Sequence, residues 1–363
     1  MNPLKALQDY GQSLWLDYIR RDLITTGELK RLVEEDGLSG MTSNPTIFQK
    51  AIGESTDYDD ALHTTLEADP QASIQNLYER LAIEDIQMVA DILRPVYDTT
   101  DGVDGFISLE ASPHLAYDTA GTIAEVRRLW QTVNRPNLMV KVPATPQGIL
   151  AIESLIAEGI NINVTLMFSL THYEAVSQAY IRGLEHNPNP HQVASVASFF
   201  VSRIDTAVDR VLDSMGTPEA LALRGKAAIA NSKRVYRRFR EVFYREPFAA
   251  ERQRGARMQR VLWGSTSTKN PVYSDILYVE ELIGPDTVNT MPPTTLNAFR
   301  DHGRVRLTLL EGIEEAESAL ARLAELGVDL EVITEQLQKD GVAAFADSLD
   351  QLLATLKEKR QSL

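Results

Sequence analysis

A lysine stands out of place in the run Asn137-Leu138-Met139-Val140-Lys141-Val142-Pro143. The apolar residues around it read as a strand buried on both faces, and Pro143 marks its end. Desolvation there favours the neutral amine, the form that attacks carbonyls. A lysine whose stem packs while its head reaches water is the bland alternative. Other polar groups also stand in or just after apolar runs: Asp17, Asn44, Glu110, Asn163, Thr165, Ser198, Arg203, Ser267 and Lys269. Together they would supply one amine, two carboxylates, hydroxyls and two further cations, a set suited to a polar, phosphorylated carbonyl compound. An imine on Lys141 would withdraw electrons from the adjacent carbon–carbon bond, and either Asp17 or Glu110 could take the proton that breaking the bond releases. Arg203 and Lys269 would hold a phosphate, the first as a planar fork and the second as a point charge.

These groups act together only if the strands bring them to one face. Short apolar runs occur at 13–19, 40–46, 105–110, 137–143, 162–169, 193–201, 261–267 and 287–291. Helical periodicity fills the intervals, at 27–36, 57–68, 72–96, 120–132, 171–184, 205–215, 218–243 and 273–283. Thr145-Pro146 begins a further helix that Gly159 ends. The Asn44-Pro45 pair reads as a turn. Eight strand–helix units predict a (β/α)8 barrel, in which the C-terminal strand ends converge on one mouth. A doubly wound sheet is the rival, weakened by the lack of a glycine-rich phosphate turn after the first strand. A barrel takes about 250 residues. The rest of the 363 goes into additional helices and a helical C-terminal segment over about 305–363, with turns near Gly327 and Gly341. No linker or repeat divides the chain, so one domain over 1–363 is expected.

Composition narrows the function classes. A hydrophobic fraction of 44% supports a sizeable core, and a net charge of −15 argues against nucleic acid or an anionic membrane as partner. The run Lys233–Arg240 is a local exception, read as a solvated helix face with Val235 and Phe239 turned inward. Without cysteine there are no disulfides, thiolate metal sites or cysteine nucleophiles, and the six histidines show no metal-binding spacing. No run is long enough to span a membrane, and residues 1–9 lack a signal-peptide core, which points to the cytoplasm.

The motifs Leu16-Asp17, Thr42-Ser43-Asn44-Pro45-Thr46, Ser108-Leu109-Glu110, Val140-Lys141-Val142-Pro143, Asn161-Ile162-Asn163-Val164-Thr165-Leu166, Ser198-Phe199-Phe200-Val201-Ser202-Arg203 and Ser267-Thr268-Lys269-Asn270-Pro271 follow one another in order. Over Trp15–Pro293 the chain resembles the transaldolases, class I aldolase-type enzymes of the pentose phosphate pathway, in their longer bacterial form. The resemblance implies a Schiff base on Lys141, Asp17 as acid and base for carbon–carbon cleavage, and Glu110 with Thr165 holding the water of imine formation. It implies that Asn44, Asn163 and Ser198 position the dihydroxyacetone unit and that Arg203, Ser267 and Lys269 bind phosphate. Lys269 departs from the arginine of shorter transaldolases, and Ser265 is an alternative to Ser267. The insertion around Phe239–Arg260 makes the seventh strand the hardest to align. The implied activity transfers dihydroxyacetone between sugar phosphates, with no metal or organic cofactor, in a monomer or homodimer. A free aldolase and a non-catalytic sugar-phosphate-binding barrel are the rival readings.

Overall fold

In the computed structural model, which describes residues 2–362, the strand carrying Lys141 is buried at every position of Leu138–Pro143. It is β4 of eight. The others are β1 Gln12–Asp17, β2 Gly40–Thr42, β3 Phe106–Glu110, β5 Ile162–Met167, β6 Ser195–Phe200, β7 Arg260–Gly264 and β8 Thr287–Met291. Each pairs in parallel with the next, and β8 pairs with β1, closing the barrel. Closure buries both faces of the strands, which is why they read as nearly continuous apolar runs. Met1 and Leu363, the ends of the expected domain, lie outside the described residues.

Register sets the site. Glu110 pairs with Lys141, and Lys141 with Asn163, so three adjacent strands deliver polar groups at one level. Asp17 pairs with Thr42 on the far side. Strand β5 shifts register between Val164 and Met167, and Leu166 there has a left-handed φ of 57°. A bulge at a barrel rim re-aims its neighbours, here Thr165.

The helices follow their sequence signals with four differences. Asn44-Pro45 does more than turn: the Asn44 side chain accepts the Ile47 N–H and Pro45 opens a helix, Pro45–Gly53. The expected helix 218–243 is two, Pro218–Leu221 and Ala227–Phe243, broken where Gly225 takes a φ of 69° against the Tyr273 ring. Of the expected helix 273–283 only Leu277–Glu280 forms, because side chains tie down its first part. Tyr273 bonds to Asp209 at 2.6 Å, and the Ser274 carbonyl accepts the Thr268 hydroxyl at 2.7 Å. Gly341 makes no turn; it lies inside a continuous helix, Leu330–Ser362. A Cβ at Gly341 would fall 2.7 Å from Leu166 Cδ2, so the glycine permits contact between helix and barrel rim.

The basic run behaves as a paired surface. Val235 and Phe239 are fully buried, while Arg234 and Arg237 meet Glu317 and Arg238 meets Glu174 and Glu241. Among the described residues no helix is long and apolar enough to cross a membrane.

Candidate active site

Lys141 is 4% exposed, near the end of a strand buried at every position. Nζ donates to the Ser43 carbonyl at 3.0 Å and to Glu110 Oε2 at 3.1 Å. The Phe345 ring, from the C-terminal helix, lies 5.9 Å from Nζ. The amine is thus held at one point while its free side faces a cavity of about 290 Å³ at the C-terminal mouth of the barrel.

Two carboxylates flank it. Asp17 closes β1 and accepts the Thr42 hydroxyl at 2.7 Å; burial raises its pKa above the ordinary carboxylate value, against the pull of Lys141, Thr42, Arg203 and Lys269. Glu110 closes β3; burial raises it too, opposed by Lys141 and reinforced by the negative charge of Asp17. The two differ in placement: Asp17 lines the mouth cavity with Lys141, whereas Glu110 lies behind the amine.

Across the cavity stand Arg203, from the first turn of the helix Ser202–Met215, and Lys269, beyond β7. Burial lowers the pKa of Arg203. Burial also lowers that of Lys269, followed by repulsion from Arg203 and Lys50. Lys269 Nζ donates to Ser267 Oγ at 2.7 Å. Arg203, Lys269 and Lys50 form no ion pair among the described residues, although the chain carries 51 acidic side chains against 36 basic ones. Three cations without an ion pair among the described residues, sharing the cavity with Asp17 alone of the carboxylates, are a place for a dianion.

The cavity wall also includes Asn44, Ser198, Ser265 and Ser267. Ser265 Oγ is already 3.0 Å from Ser202 Oγ, which leaves Ser267, beside Lys269, as the hydroxyl nearer the cations. Asn163 lies beneath the wall, accepting from Ser198 at 2.6 Å and donating to Ser108 at 2.9 Å. The Thr165 hydroxyl is buried without a hydrogen-bond partner among the described residues, a position that a water would satisfy. Of the residues expected from sequence, Asp17, Asn44, Lys141, Ser198, Arg203, Ser267 and Lys269 therefore share the cavity, with Glu110, Asn163 and Thr165 behind it.

Sequence reasoning missed Lys50, Thr46, Phe200 and Phe345, which line the same space. Lys50 lies on the helix hidden by the Asn-Pro turn signal. Phe200 sits in a quoted motif and packs 5.3 Å from the Arg203 guanidinium. Phe345 arrives from the C-terminal helix, clamped by Gln338, whose amide donates at 3.0 Å to the carbonyls of both Ala144 and Leu166. Among the described residues no group of His, Cys, Asp or Glu is placed to hold a metal ion.

A closed barrel with a buried amine between two carboxylates, facing free cations, is suited to carbonyl condensation chemistry on anionic substrates. The chain belongs to the transaldolase/fructose-6-phosphate aldolase family, whose model matches residues 14–356. It is 48% identical to a transaldolase of Thiobacillus denitrificans, over 98% of this chain and all of that one. It is equally identical to a transaldolase of Parafrankia sp., over 98% of both chains. A protein of Nostoc sp. named transaldolase 2 is 42% identical over 99% of this chain and 98% of its own.

Proposed function

We propose that the protein is a transaldolase. It moves a dihydroxyacetone unit from sedoheptulose 7-phosphate to D-glyceraldehyde 3-phosphate, giving erythrose 4-phosphate and fructose 6-phosphate. The observation that carries this reading is Lys141, buried against Glu110, facing Asp17 and three unpaired cations across one cavity.

Nζ adds to the C2 carbonyl of the donor. The carbonyl oxygen leaves as water, with Glu110 moving protons and Thr165, whose hydroxyl has no other partner among the described residues, holding that water. The product is a protonated imine. Asp17 takes the C4 hydroxyl proton, the C3–C4 bond breaks, and its electron pair flows into the iminium to leave an enamine. The enamine carbon then attacks the aldehyde of the acceptor, Asp17 returns its proton to the new hydroxyl, and water releases the sugar. Asn44 and Ser198 orient the three-carbon unit, with Asn163 fixing Ser198. Arg203, Lys269 and Ser267 hold the phosphate. The scheme uses neither metal nor organic cofactor. It suits a cytoplasmic enzyme of sugar phosphates, monomer or homodimer, without nucleic-acid or membrane partners.

A coupled assay of wild type and Lys141→Ala, together with borohydride reduction in the presence of fructose 6-phosphate, tests the reading. The expected results are turnover and a reduced adduct on Lys141 in wild type, and neither in the variant. Full activity beside an unmodified Lys141 would sink the mechanism. The family's second named activity, fructose-6-phosphate aldolase, makes the fate of the enamine a separate measurement. Release of free dihydroxyacetone without an acceptor would assign the protein to aldol cleavage.

A further inference from the structure

Glu110 has two faces. One holds Lys141 at 3.1 Å. The other lines a second cavity, of about 80 Å³, that contains neither Lys141 nor Asp17. The mouth cavity in turn does not reach Glu110. The Lys141–Glu110 pair is therefore the partition between two spaces, one opening to the barrel mouth and one to the barrel flank. Gln75 and His114, both exposed, stand at the outer lining of the flank cavity.

The flank cavity is equipped for water. Its volume accommodates several water molecules. Besides Glu110 it is lined by Tyr78, Glu79, Ser112 and Glu125, set among apolar residues that include Ala82, Leu349 and Leu353. Tyr78 offers a hydroxyl with no hydrogen-bond partner among the described residues; burial, then the charges of Glu110, Glu79 and Glu125, raise its pKa and keep it protonated. Glu125 accepts the Ser112 N–H at 2.7 Å and burial raises its pKa as well. Water in this space would have donors and acceptors along its length, ending at the Glu110 carboxylate. The C-terminal helix roofs both spaces, with Phe345 over the mouth cavity and Leu349 and Leu353 over the other.

We propose that the flank cavity is a water and proton route to Glu110, separate from the path of the sugar. The inference rests on the transaldolase reading and deepens it. Imine formation converts a ketone and a lysine ammonium into a protonated imine and one water: the C–N bond forms, the C–O bond breaks, and two of the three ammonium protons leave with the oxygen. Hydrolysis reverses this. While the phosphate is gripped at the mouth, the sugar fills the front of the site, and the exchanged water leaves and enters behind Glu110. Tyr78 and Glu125 are positioning residues along that route, holding water in line with Glu110 without touching the sugar.

The test is plugging the flank. Leu353→Trp, on the half-buried lining, places a large ring in the flank cavity while replacing no group that meets substrate. Two quantities are compared with wild type: the adduct trapped by borohydride at equilibrium with fructose 6-phosphate, and the enzyme-catalysed loss of ¹⁸O from C2-labelled fructose 6-phosphate. The expected result is wild-type trapping with ¹⁸O loss slowed about tenfold. Wild-type rates of ¹⁸O loss overturn the proposal. If Leu353→Trp fails to fold or to trap, the crystal structure of the reduced wild-type adduct decides. Ordered waters from Gln75 to Glu110 uphold the route, and a dry cavity overturns it. No trapping in wild type would instead strike the transaldolase reading itself, so the two failures are distinguishable.

Discussion

Thr42 donates its hydroxyl proton to Asp17 at 2.7 Å from the neighbouring strand, and its oxygen lies as close to that of Thr290. The bond stabilises the ionised carboxylate, whereas burial favours the protonated one, and burial prevails. Asp17 must be ionised to take the sugar hydroxyl proton, so activity falls as pH drops through its folded pKa, which lies above the ordinary value. Thr42→Val removes a group that lowers that pKa, so the acid limb of the kcat/KM profile moves to higher pH. An unmoved limb would mean that another group sets it.

Asp17→Asn keeps the shape of the site and removes the base. Imine formation depends on Lys141 and Glu110, so the borohydride adduct with fructose 6-phosphate persists. Turnover in the coupled assay falls about a hundred- to ten-thousandfold, the span of general acid–base effects.

The three cations divide the phosphate grip. Lys269→Ala removes a charge-assisted contact and raises KM for glyceraldehyde 3-phosphate roughly tenfold. Lys50→Ala, at a second exposed cation of the same cavity, raises it severalfold. Neither change alters the rate with unphosphorylated glyceraldehyde, and steady-state kinetics with the two acceptors checks this. A parallel loss with both acceptors would place these lysines outside the phosphate site.

Gly341→Val forces a branched side chain into the contact with Leu166. Overpacking of this kind costs about 1–3 kcal/mol. Denaturant unfolding at neutral pH measures it as a lower midpoint. Because Arg203 Nη1 lies 3.6 Å from the same Cβ position, KM for phosphorylated substrates rises in the variant as well.

Much of the architecture was legible because closed barrels leave a blunt signal. Strands buried on both faces are apolar, so a charge at their ends, as at Asp17, Glu110 and Lys141, stands out without any knowledge of its neighbours. Groups on other elements left no such trace. Lys50 was hidden because Asn44-Pro45 marks a turn and a helix start alike, and only the Asn44 cap distinguishes them. Gly341 was misread because glycine that permits close packing looks, in one dimension, like glycine that ends a helix. Phe345 and Gln338 reach the site through tertiary contacts across about half the chain, which no local pattern encodes. The flank cavity belongs to this last group, since it exists only where the roofing helix meets the rim.

The clamp at Gln338 and Gly341 also bears on how the protein is made. Every strand of the barrel, through Met291, is synthesised before the helix that carries Phe345. Until that helix is made, Leu166 and the Ala144 carbonyl lack the residues that cover them, and exposed apolar surface of this kind favours association. A chain cut short before residue 338 lacks both the ring that faces Lys141 and the amide that bonds the rim carbonyls, so the site is roofed only when this helix has been made.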